Sequence, residues 1–346
     1  MSSRPLTNAE LAELLARRAE ESEGLRQRAF RRAARYAFLW PEEAADLLAS
    51  ERPLLELKGV GPFLAAEIEK WLKHSPRSII PPDSRRDFLT IAEARRVLDL
   101  HPDWRRHLRG DLQMHTLWSD GSGTVAEMAG AAAERKYEYI AITDHSKGLK
   151  IAGGIDERAL ARQGAEIDSW NEGKNGGSLQ ILKSIELNLS PGGQGDMEPA
   201  ALARLDFVLG SFHSALRKTD DQTDRYLAAL ANPEINVLGH PRGRVYNFRL
   251  GLKADWSRVF AEAARRDKAV EIDSYPDRQD LNVGLLKLAR KEGVRISLGT
   301  DAHHPWQLEF IELGLAAALK ARIAPERIIN FLALSELKAW SGKRRN

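Results

Sequence analysis

From residue 108 onward, short apolar runs alternate with stretches whose apolar residues recur every three or four positions. The first kind of pattern predicts strands and the second predicts helices. The seven strand-like runs are GDLQMHT, YIAITDH, LQILKSIELNL, LDFVLGSFH, INVLGH, AVEIDSY and RISLGTDAH. Strands that alternate with helices indicate parallel pairing with right-handed crossovers. We therefore predict an α/β fold, a (β/α) barrel of seven strands, with an open doubly wound sheet as the alternative.

The barrel is favoured because every strand-like run ends in polar residues. In a parallel barrel the carboxyl ends of all strands open on one rim, where they build a common site. An open sheet would instead gather its chemistry at a single switch point between two strands.

The first 75 residues have a helical pattern throughout. NAELAELLARRAE predicts a helix capped by Thr7 or Asn8, and LRQRAFRRAARYAFLW predicts a second helix. Pro41 is expected to open a third helix, PEEAADLLAS, because proline suits the first helical position. The segment LLELKGVGPFLAAEIEKWL then predicts two short helical pieces joined by a Gly-Val-Gly turn.

A boundary between these two patterns falls at residues 74–86, which contain three prolines and show no periodicity. We therefore expect a small all-α domain at 1–75, a linker with one connecting helix at 76–107, and the α/β domain at 108–340.

Composition narrows the chemistry that this chain can perform. It has no cysteine, so a metal ion must be held by His, Asp or Glu. A net charge of +3 and a pI near 9.0 permit a nucleic-acid partner without requiring one. No apolar run approaches the ~20 residues of a membrane span. MSSRPLTNAE lacks the apolar core of a signal peptide. We expect a cytoplasmic protein without membrane contact. The sequence makes no prediction of its oligomeric state.

Residues that bind metals collect at the ends of the strand-like runs. Five of the nine histidines lie there, namely His115, His145, His213, His240 and His303. They are accompanied by Glu186, which is expected to end a strand of its own, and by Asp301. Asp120 follows the first of these histidines by five residues. Gathering such groups in one cleft costs several kcal/mol unless cations join them. We therefore predict a metal site at the rim. The remaining histidines are interpreted as structural, namely His74, His101, His107 and His304.

The ordered segments DLQMHTLWSDG, AITDHS, SIELNL, GSFHS, LGHPRGR and LGTDAHH resemble the motifs of the PHP (polymerase and histidinol phosphatase) superfamily. Their spacing, with AGG after the second motif and YPDRQDL after the sixth strand, is similar to the PHP domain of bacterial X-family DNA polymerases. The resemblance covers residues 108 to about 340. It implies a distorted (β/α)7 barrel whose metal cleft hydrolyses phosphoesters with two or three divalent ions (Mn, Zn or Fe, with Mn favoured).

The same resemblance assigns metal ligands by position. The first ion would be held by His115, Glu186 and Asp301, beside Gln113. The second would be held by Glu186, His213 and His240. The third would be held by Asp120, His145 and His303. Gln113 stands where most relatives have a histidine, and a carboxamide oxygen is a weaker ligand for Zn-like ions than imidazole. A harder ion such as Mn should tolerate this glutamine better.

Catalytic roles are expected for His115, Glu186 and Asp301, with Glu186 bridging two ions and Asp301 steering the nucleophilic water. Arg242 and Arg244 follow His240 and are candidates to grip a phosphate, because guanidinium groups pair with phosphate bidentately. The alternative interpretation is that both arginines only keep their loop soluble. Two further acidic residues, Asp144 and Asp273, are expected to orient imidazoles from behind.

The segment LLELKGVGPFLAAEIEKWL resembles the helix-hairpin-helix of the N-terminal domain of X-family polymerases. Its turn consists of Lys58, Gly59, Val60 and Gly61. Backbone N–H groups at such a turn can meet a DNA phosphate, although a plain packing turn is the alternative. Glu67 stands where some relatives carry a lyase lysine, so we expect no lyase activity. A basic run could line the DNA backbone or be a solvated face, namely Arg28, Arg31, Arg32 and Arg35.

The leading hypothesis is a metal-dependent phosphoesterase that acts on DNA at 3′ ends, gaps or nicks, as a 3′-5′ exonuclease or a 3′-end-processing repair enzyme. Only the linker and one helix separate the two domains, so no room remains for a polymerase palm and no polymerization is expected. The alternatives are a small-molecule phosphatase of the histidinol-phosphate type and a non-catalytic DNA-binding PHP module.

Overall fold

The computed structural model describes residues 4–76, 79–173 and 178–342. The predicted all-α domain, linker and α/β domain also include residues 1–3, 77–78 and 174–177 respectively, which lie outside these ranges. The first three residues of the segment tested for a signal peptide lie outside them as well.

Helices of the N-terminal region pack around a core of their own, in which Phe30 and Trp40 are almost fully buried. The helices are α1 (Asn8–Glu20), α2 (Gly24–Tyr36), α3 (Ala44–Ala49) and α4 (Pro62–Lys73). The first helix has the predicted bounds, and Thr7 rather than Asn8 caps it, through a capping box with Glu10. The predicted all-α character of this region is therefore present in the structure.

The prediction that Pro41 opens the third helix is wrong, because α3 begins at Ala44. Asn8 fixes this start from the neighbouring helix. Its side-chain amide donates to Glu42 O at 2.9 Å, and its side-chain oxygen accepts from Ala44 N at 2.9 Å. The Glu43 carboxylate in turn accepts from Asn8 N at 2.6 Å. These long-range bonds hold the segment after Pro41 in an extended form.

The segment that follows ties the N-terminal helices to the rest of the chain. It contains α5 (Ile91–Asp99) and α6 (Pro102–His107), after a short 3₁₀ turn at Asp83–Arg85. Arg85 is buried and pairs with Glu13 at 2.8 Å, with Glu20, and with Asn247 Oδ1 at 2.9 Å. Phe38, Phe88 and Tyr246 form an edge-to-face aromatic cluster, which joins the two parts through a second contact.

All strands pair in parallel, and they form a three-stranded and a five-stranded sheet with strands in chain order. Within the described ranges the strands are β1 (Gly110–Asp111), β2 (Tyr139–Ile142), β3 (Gln180–Lys183), β4 (Glu186–Asn188), β5 (Leu209–Ser211), β6 (Val237–Leu238), β7 (Ala269–Asp273) and β8 (Arg295–Gly299). The predicted α/β fold with parallel strands is thus confirmed.

Among the described residues, the third predicted strand is two strands, β3 and β4, so eight strands are present rather than seven. β3 pairs with β2, whereas β4 pairs with β5. The Asp206 side chain accepts from Lys183 N at 3.0 Å, which ends the ladder of the first sheet there. Glu186 therefore begins β4, and the prediction that it ends a strand is wrong. Isolated bridges link the two sheets, one between His145 and Glu186 and one between Met114 and Ala302.

Helices cover the outer faces of the sheets and bury Leu, Ile and Val side chains against them. They are α7 (Val125–Glu134), α8 (Glu157–Glu172), α9 (Pro199–Leu202), α10 (Thr223–Ala231), α11 (Trp256–Arg265), α12 (Val283–Glu292), α13 (Ile311–Lys320) and α14 (Leu334–Gly342). Among the described residues, no helix combines the length and apolar character needed to cross a bilayer.

Candidate metal centre

The strand ends deliver the predicted ligands to one place. His145 follows β2, His213 follows β5 and His240 follows β6, each within three residues of the strand. Asp301 and His240 have positive φ angles of 53° and 21°, a region that non-glycine residues rarely adopt. Such backbone strain is concentrated at functional sites, and here it occurs where the chain leaves β8 and β6.

Glu186 lies at the centre of this cluster and is fully buried. Its Oε1 is 2.6 Å from His240 Nε2 and 3.1 Å from His213 Nε2. Its Oε2 is 3.0 Å from His145 Nδ1 and 3.5 Å from His115 Nε2. One carboxylate therefore faces four imidazoles that come from four different strand ends.

Two further carboxylates, those of Asp301 and Asp120, lie on different sides of His115. Asp301 Oδ1 is 3.0 Å from His115 Nε2. On the solvent side, Asp120 Oδ1 is 3.3 Å from His303 Nε2 and 3.6 Å from His145 Nε2. The ring of His115 stacks between those of His145 and His303, with centroids 4.3 and 4.4 Å away.

Three overlapping sets of ligand atoms are close enough to hold an ion each, with all atoms of a set within 4.8 Å of one another. They are His115, Asp120, His145 and His303; His145, Glu186 and His213; and His115, Glu186 and Asp301. The first and third sets contain the ligands that the resemblance assigned to the third and first ions. The second set contains His145 together with Glu186 and His213. His240 is not in this set, but it contacts Glu186 Oε1, the oxygen that His213 also contacts.

The charges of the cluster act strongly on one another. Burial raises the pKa of Glu186, but the charges of His145, His240 and His213 outweigh this and hold it well below its usual value. Burial lowers the pKa of His240, but the charge of Glu186 raises it to about 10. In the same way Asp120 and Asp301 outweigh the burial of His303 and raise its pKa to about 9. Both shifts favour the protonated, cationic imidazole, because positive charge stabilises the carboxylates of this cluster.

The donor set fits divalent cations. It consists of imidazole nitrogens and carboxylate oxygens without sulfur, which suits Zn, Mn, Fe or Mg. Some buried atoms of the ligand residues have no hydrogen-bond partner among the described residues, including His115 Nδ1 and His240 Nδ1. Buried polar atoms without partners are costly, so these atoms indicate a cationic ligand rather than a closed hydrogen-bond network.

Gln113 is fully buried below this cluster. In the orientation that satisfies its hydrogen bonds, its amide nitrogen donates to the Glu271 carboxylate at 2.7 Å. Only the amide oxygen then remains for an ion. Glu271 also accepts from His240 N at 2.7 Å, so it positions two predicted ligands. Sequence reasoning missed Glu271, because it lies inside an apolar strand whose alternation gave no sign of this contact.

Two more buried carboxylates shape the cluster from behind. Asp111, also missed, accepts from Thr300 Oγ1 at 2.5 Å and from Gln113 N at 3.1 Å, which joins the end of β1 to the end of β8. Asp273 accepts from Tyr275 N at 2.7 Å and acts on His240 by charge only. Its predicted role as an imidazole partner is therefore not seen among the described residues.

The prediction that Asp144 orients an imidazole is wrong. Its carboxylate oxygens accept four hydrogen bonds, from Thr116 N at 2.8 Å, Thr116 Oγ1 at 2.6 Å, Ser119 Oγ at 2.5 Å and Gln163 Nε2 at 2.6 Å. These bonds hold the loop between His115 and Asp120. Asp144 thus positions two predicted ligands through the backbone rather than through a ring.

The two arginines proposed to grip a phosphate differ. Arg244 is buried, donates to Arg278 O at 2.7 Å and Asp87 O at 2.8 Å, and covers the Phe88 ring. Arg242 is half-buried and donates to Leu250 O at 2.7 Å. Sequence reasoning missed Arg278, whose Nε is 4.0 Å from Asp301 Oδ2 and has no hydrogen-bond partner among the described residues.

The predicted hairpin turn lies near this rim. Gly59 has a φ of +81°, and a Cβ there would come within 2.3 Å of the Tyr36 ring, so both backbone and packing require glycine. Lys58 Nζ lies 5.2 Å from the centroid of Tyr36 and 5.4 Å from that of Trp306, three residues after His303. Gly61 precedes α4 without a side-chain cap, and Val60 is buried in the helical core.

The other residues singled out from the sequence lie away from the ligand sets. Glu67, in place of the lyase lysine, is 3.9 Å from Arg18. Four histidines occupy helix ends or packing positions within the described ranges, namely His74, His101, His107 and His304. The basic run of α2 is exposed, namely Arg28, Arg31, Arg32 and Arg35.

Comparison with known proteins agrees with this geometry. The family model of the PHP domain matches residues 111–275. The Bacillus subtilis protein named "DNA polymerase/3'-5' exonuclease PolX" is 32% identical over 272 residues, which are 77% of this chain and 46% of that protein. This chain thus spans about half the length of that relative. A "Probable phosphatase" of Caldicellulosiruptor bescii is 30% identical over 233 residues, which are 64% of this chain and 91% of that protein.

Among solved structures, histidinol phosphate phosphatase from Lactococcus lactis, complexed with zinc, L-histidinol and phosphate, covers 63% of this chain and 95% of its own. The sequence identity is 17% and the TM-score is 0.43.

The site and the parallel α/β fold define a metal-dependent phosphoesterase, a hydrolase, and this predicted class is confirmed by the relatives. The chain belongs to the PHP domain family.

Proposed function

We propose that this chain is a metal-dependent phosphoesterase that hydrolyses DNA at 3′ ends, gaps or nicks, as a 3′-5′ exonuclease or 3′-end-processing repair enzyme without polymerase activity. The observation that supports this most directly is Glu186, one buried carboxylate shared by four imidazoles at a rim that the N-terminal helices also reach. Residues 1–75 would be a helix-hairpin-helix domain, 76–107 the linker, and 108–340 the phosphoesterase, with both sheets forming one distorted (β/α)7 barrel.

Nine residues would hold two or three divalent ions, with Mn favoured. They are Gln113, His115, Asp120, His145, Glu186, His213, His240, Asp301 and His303. When bound, such ions lower the pKa of water toward ~7 and offset charge on the leaving oxygen. Within the protein, Glu186 would fix the spacing of the ligand sets that it shares, and Asp301 would orient the attacking water.

Arg278 is the cation best placed for the substrate phosphate. Its guanidinium lies 4.0 Å from Asp301, at the edge of the ligand cluster, and its Nε has no hydrogen-bond partner among the described residues. Charge-assisted contacts from a guanidinium suit phosphate oxygens, and preorganised positive charge stabilises the transition state of phosphoryl transfer. Arg242 and Arg244 remain further candidates, although Arg244 is buried and already donates to two backbone carbonyls.

DNA is favoured over a small phosphate monoester because the N-terminal helices contact the rim of the site. Lys58 of the hairpin turn lies over Trp306, and the turn would present its backbone N–H groups to a DNA phosphate. A histidinol-phosphate type phosphatase remains the second candidate, and the names of several relatives favour it.

Oligonucleotide digestion tests this proposal. With Mn, we expect the purified protein to shorten 5′-labelled DNA from its 3′ end, and Glu186→Gln to be inactive. Glu157→Gln is the control, because this glutamate pairs with Lys147 outside the ligand sets. Turnover of histidinol phosphate with intact DNA would favour the second candidate. DNA binding without hydrolysis of either would favour the non-catalytic alternative. Binding through phosphate contacts should also weaken steeply with salt.

A further inference from the structure

A cleft separates helix α2 of the N-terminal region from the loop after β6. Its volume is about 410 Å³, which falls within the ~300–1,000 Å³ of typical ligand sites. Its walls include Arg31 and Arg35 on one side and Tyr246 and Phe248 on the other, with Asp277 at one end. We call it the Arg31–Phe248 cleft.

The walls of the cleft combine positive charge with an exposed aromatic ring. Arg31 is exposed and makes no hydrogen bond or ion pair with the described residues. Phe248 is 63% exposed, although its loop is well ordered by bonds between Val245 and Arg249. Arg217 adds a third positive charge, with its guanidinium 5.0 Å from the Phe248 centroid. An exposed aromatic ring beside cations is the combination that binds single-stranded nucleic acid.

The negative charges that line the cleft also contact cations outside it. Glu20 contacts the buried Arg85, which pairs with Glu13 as well, and Asp277 Oδ1 lies 4.0 Å from Arg278 Nε. Arg31 makes no hydrogen bond or ion pair with the described residues and therefore stays available to an anionic ligand.

The cleft lies next to the metal centre. Asp277 lines the cleft, and Arg278 Nε, 4.0 Å from its carboxylate, is also 4.0 Å from that of Asp301. Tyr246 N donates to Asp277 O at 2.7 Å, so the loop that carries Phe248 is fixed against the loop that carries Arg278. A strand whose scissile phosphate lies at the metal centre would therefore have the cleft beside its neighbouring nucleotide.

We propose that the Arg31–Phe248 cleft binds the nucleotide next to the scissile phosphate of a single-stranded DNA end, with a phosphate at Arg31 and a base against Phe248. This inference rests on the proposed function and specifies its substrate as an unpaired strand rather than a mononucleotide. Stacking of a base on an aromatic ring is sequence-tolerant, so the cleft accepts any base.

Kinetics on short oligonucleotides with Mn test this proposal in the full-length protein. We expect Phe248→Ala and Arg31→Ala each to raise KM about tenfold with little change in kcat, because the contacts bind ground and transition states alike. Phe248→Tyr should restore KM. Arg31→Ala should also reduce the salt slope of binding by about one. Arg290→Ala, an exposed arginine at the end of α12 outside the cleft, and Leu100→Ala, an exposed residue elsewhere, are matched controls.

A direct contact is measured by fluorescence of 2-aminopurine next to the 3′ terminus of a phosphorothioate oligonucleotide. Stacking should quench it with the native protein and not with Phe248→Ala. Wild-type KM and quenching in both cleft variants, in a protein that digests DNA, would overturn the inference alone. If the native protein cleaves bis(4-nitrophenyl) phosphate but no oligonucleotide, the proposed function fails and the inference fails with it.

Discussion

Replacement of Glu186 by glutamine is the sharpest perturbation of the metal centre. The change keeps the shape of the side chain and removes its charge, at a position 2.6–3.5 Å from four imidazoles. Two of the three ligand sets contain Glu186, so both should lose affinity together. Loss of a supporting contact alone costs 10–100-fold in metal affinity or activity, and loss of a shared ligand should exceed this. We expect metal affinity at least ~100-fold weaker and kcat/KM at least ~1,000-fold lower.

Thermal unfolding gives a second magnitude for the same variant. An ion at 100 times its Kd stabilises the folded state by about 2.7 kcal/mol. For a chain of 346 residues the entropy of unfolding is ~0.7 kcal/mol/K, so each bound ion should raise the Tm of the native protein by about 4 °C. In Glu186→Gln, each of the two sets that contain this residue should contribute less than ~1 °C at the same Mn concentration, while the set without it keeps its contribution.

The assays are elemental analysis, calorimetric Mn titration and unfolding scans with and without EDTA. Glu157→Gln serves as the control and should behave like the native protein. If Glu186→Gln retained native metal content, the Mn-induced rise in Tm and activity, then Glu186 would not be a shared ligand and the reasoning from its four contacts would be refuted.

Three other expectations follow from the contacts described. Arg278→Met should lower kcat/KM for phosphoesters ~10–1,000-fold without loss of bound metal, measured by kinetics and elemental analysis; unchanged kinetics would exclude its role at the phosphate. In EDTA, the Tm should fall as pH rises from 6.5 through about 9, because Asp120 and Asp301 outweigh the burial of His303, raise its folded-state pKa to about 9 and so make it lose a stabilising proton there. His240, whose pKa is raised to about 10, contributes to the same fall, so Asp120→Asn should reduce the slope without abolishing it, and an unchanged slope would count against the His303–Asp120 pair. Arg85→Met should destabilise the fold by ~1–3 kcal/mol in urea unfolding because buried Glu13 keeps only its pair with Arg17, and addition of Glu13→Leu should recover most of the loss.

Local patterns were sufficient to predict much of this molecule. The bounds of α1 follow from its apolar spacing and its Thr7–Glu10 capping box. The ligand-bearing strand ends follow from alternation with helices, because parallel strands bring their carboxyl ends to one edge. These features depend on residues close together in sequence, so the sequence alone indicates them.

Features that depend on distant partners were not predictable in this way. Arg244 has the sequence context of a phosphate ligand. In the fold, however, its guanidinium contacts Phe88 and Asp87, more than 150 positions away. Glu271 lies within an apolar strand, and only the folded structure shows that it holds Gln113 and the His240 backbone. The split of the third strand likewise depends on Asp206 from another segment.

The loop after β6 begins with His240 and carries Tyr246, which packs against Phe38 and Phe88 from the N-terminal part of the chain. Proteolysis or gene truncation within residues 79–87 would remove Phe38 from a loop that also carries His240, which contacts the shared carboxylate. The hydrolase and its helical partner are therefore expected to be inherited, and lost, as one unit. Insertions that are harmless in other rim loops would here disturb both halves at once.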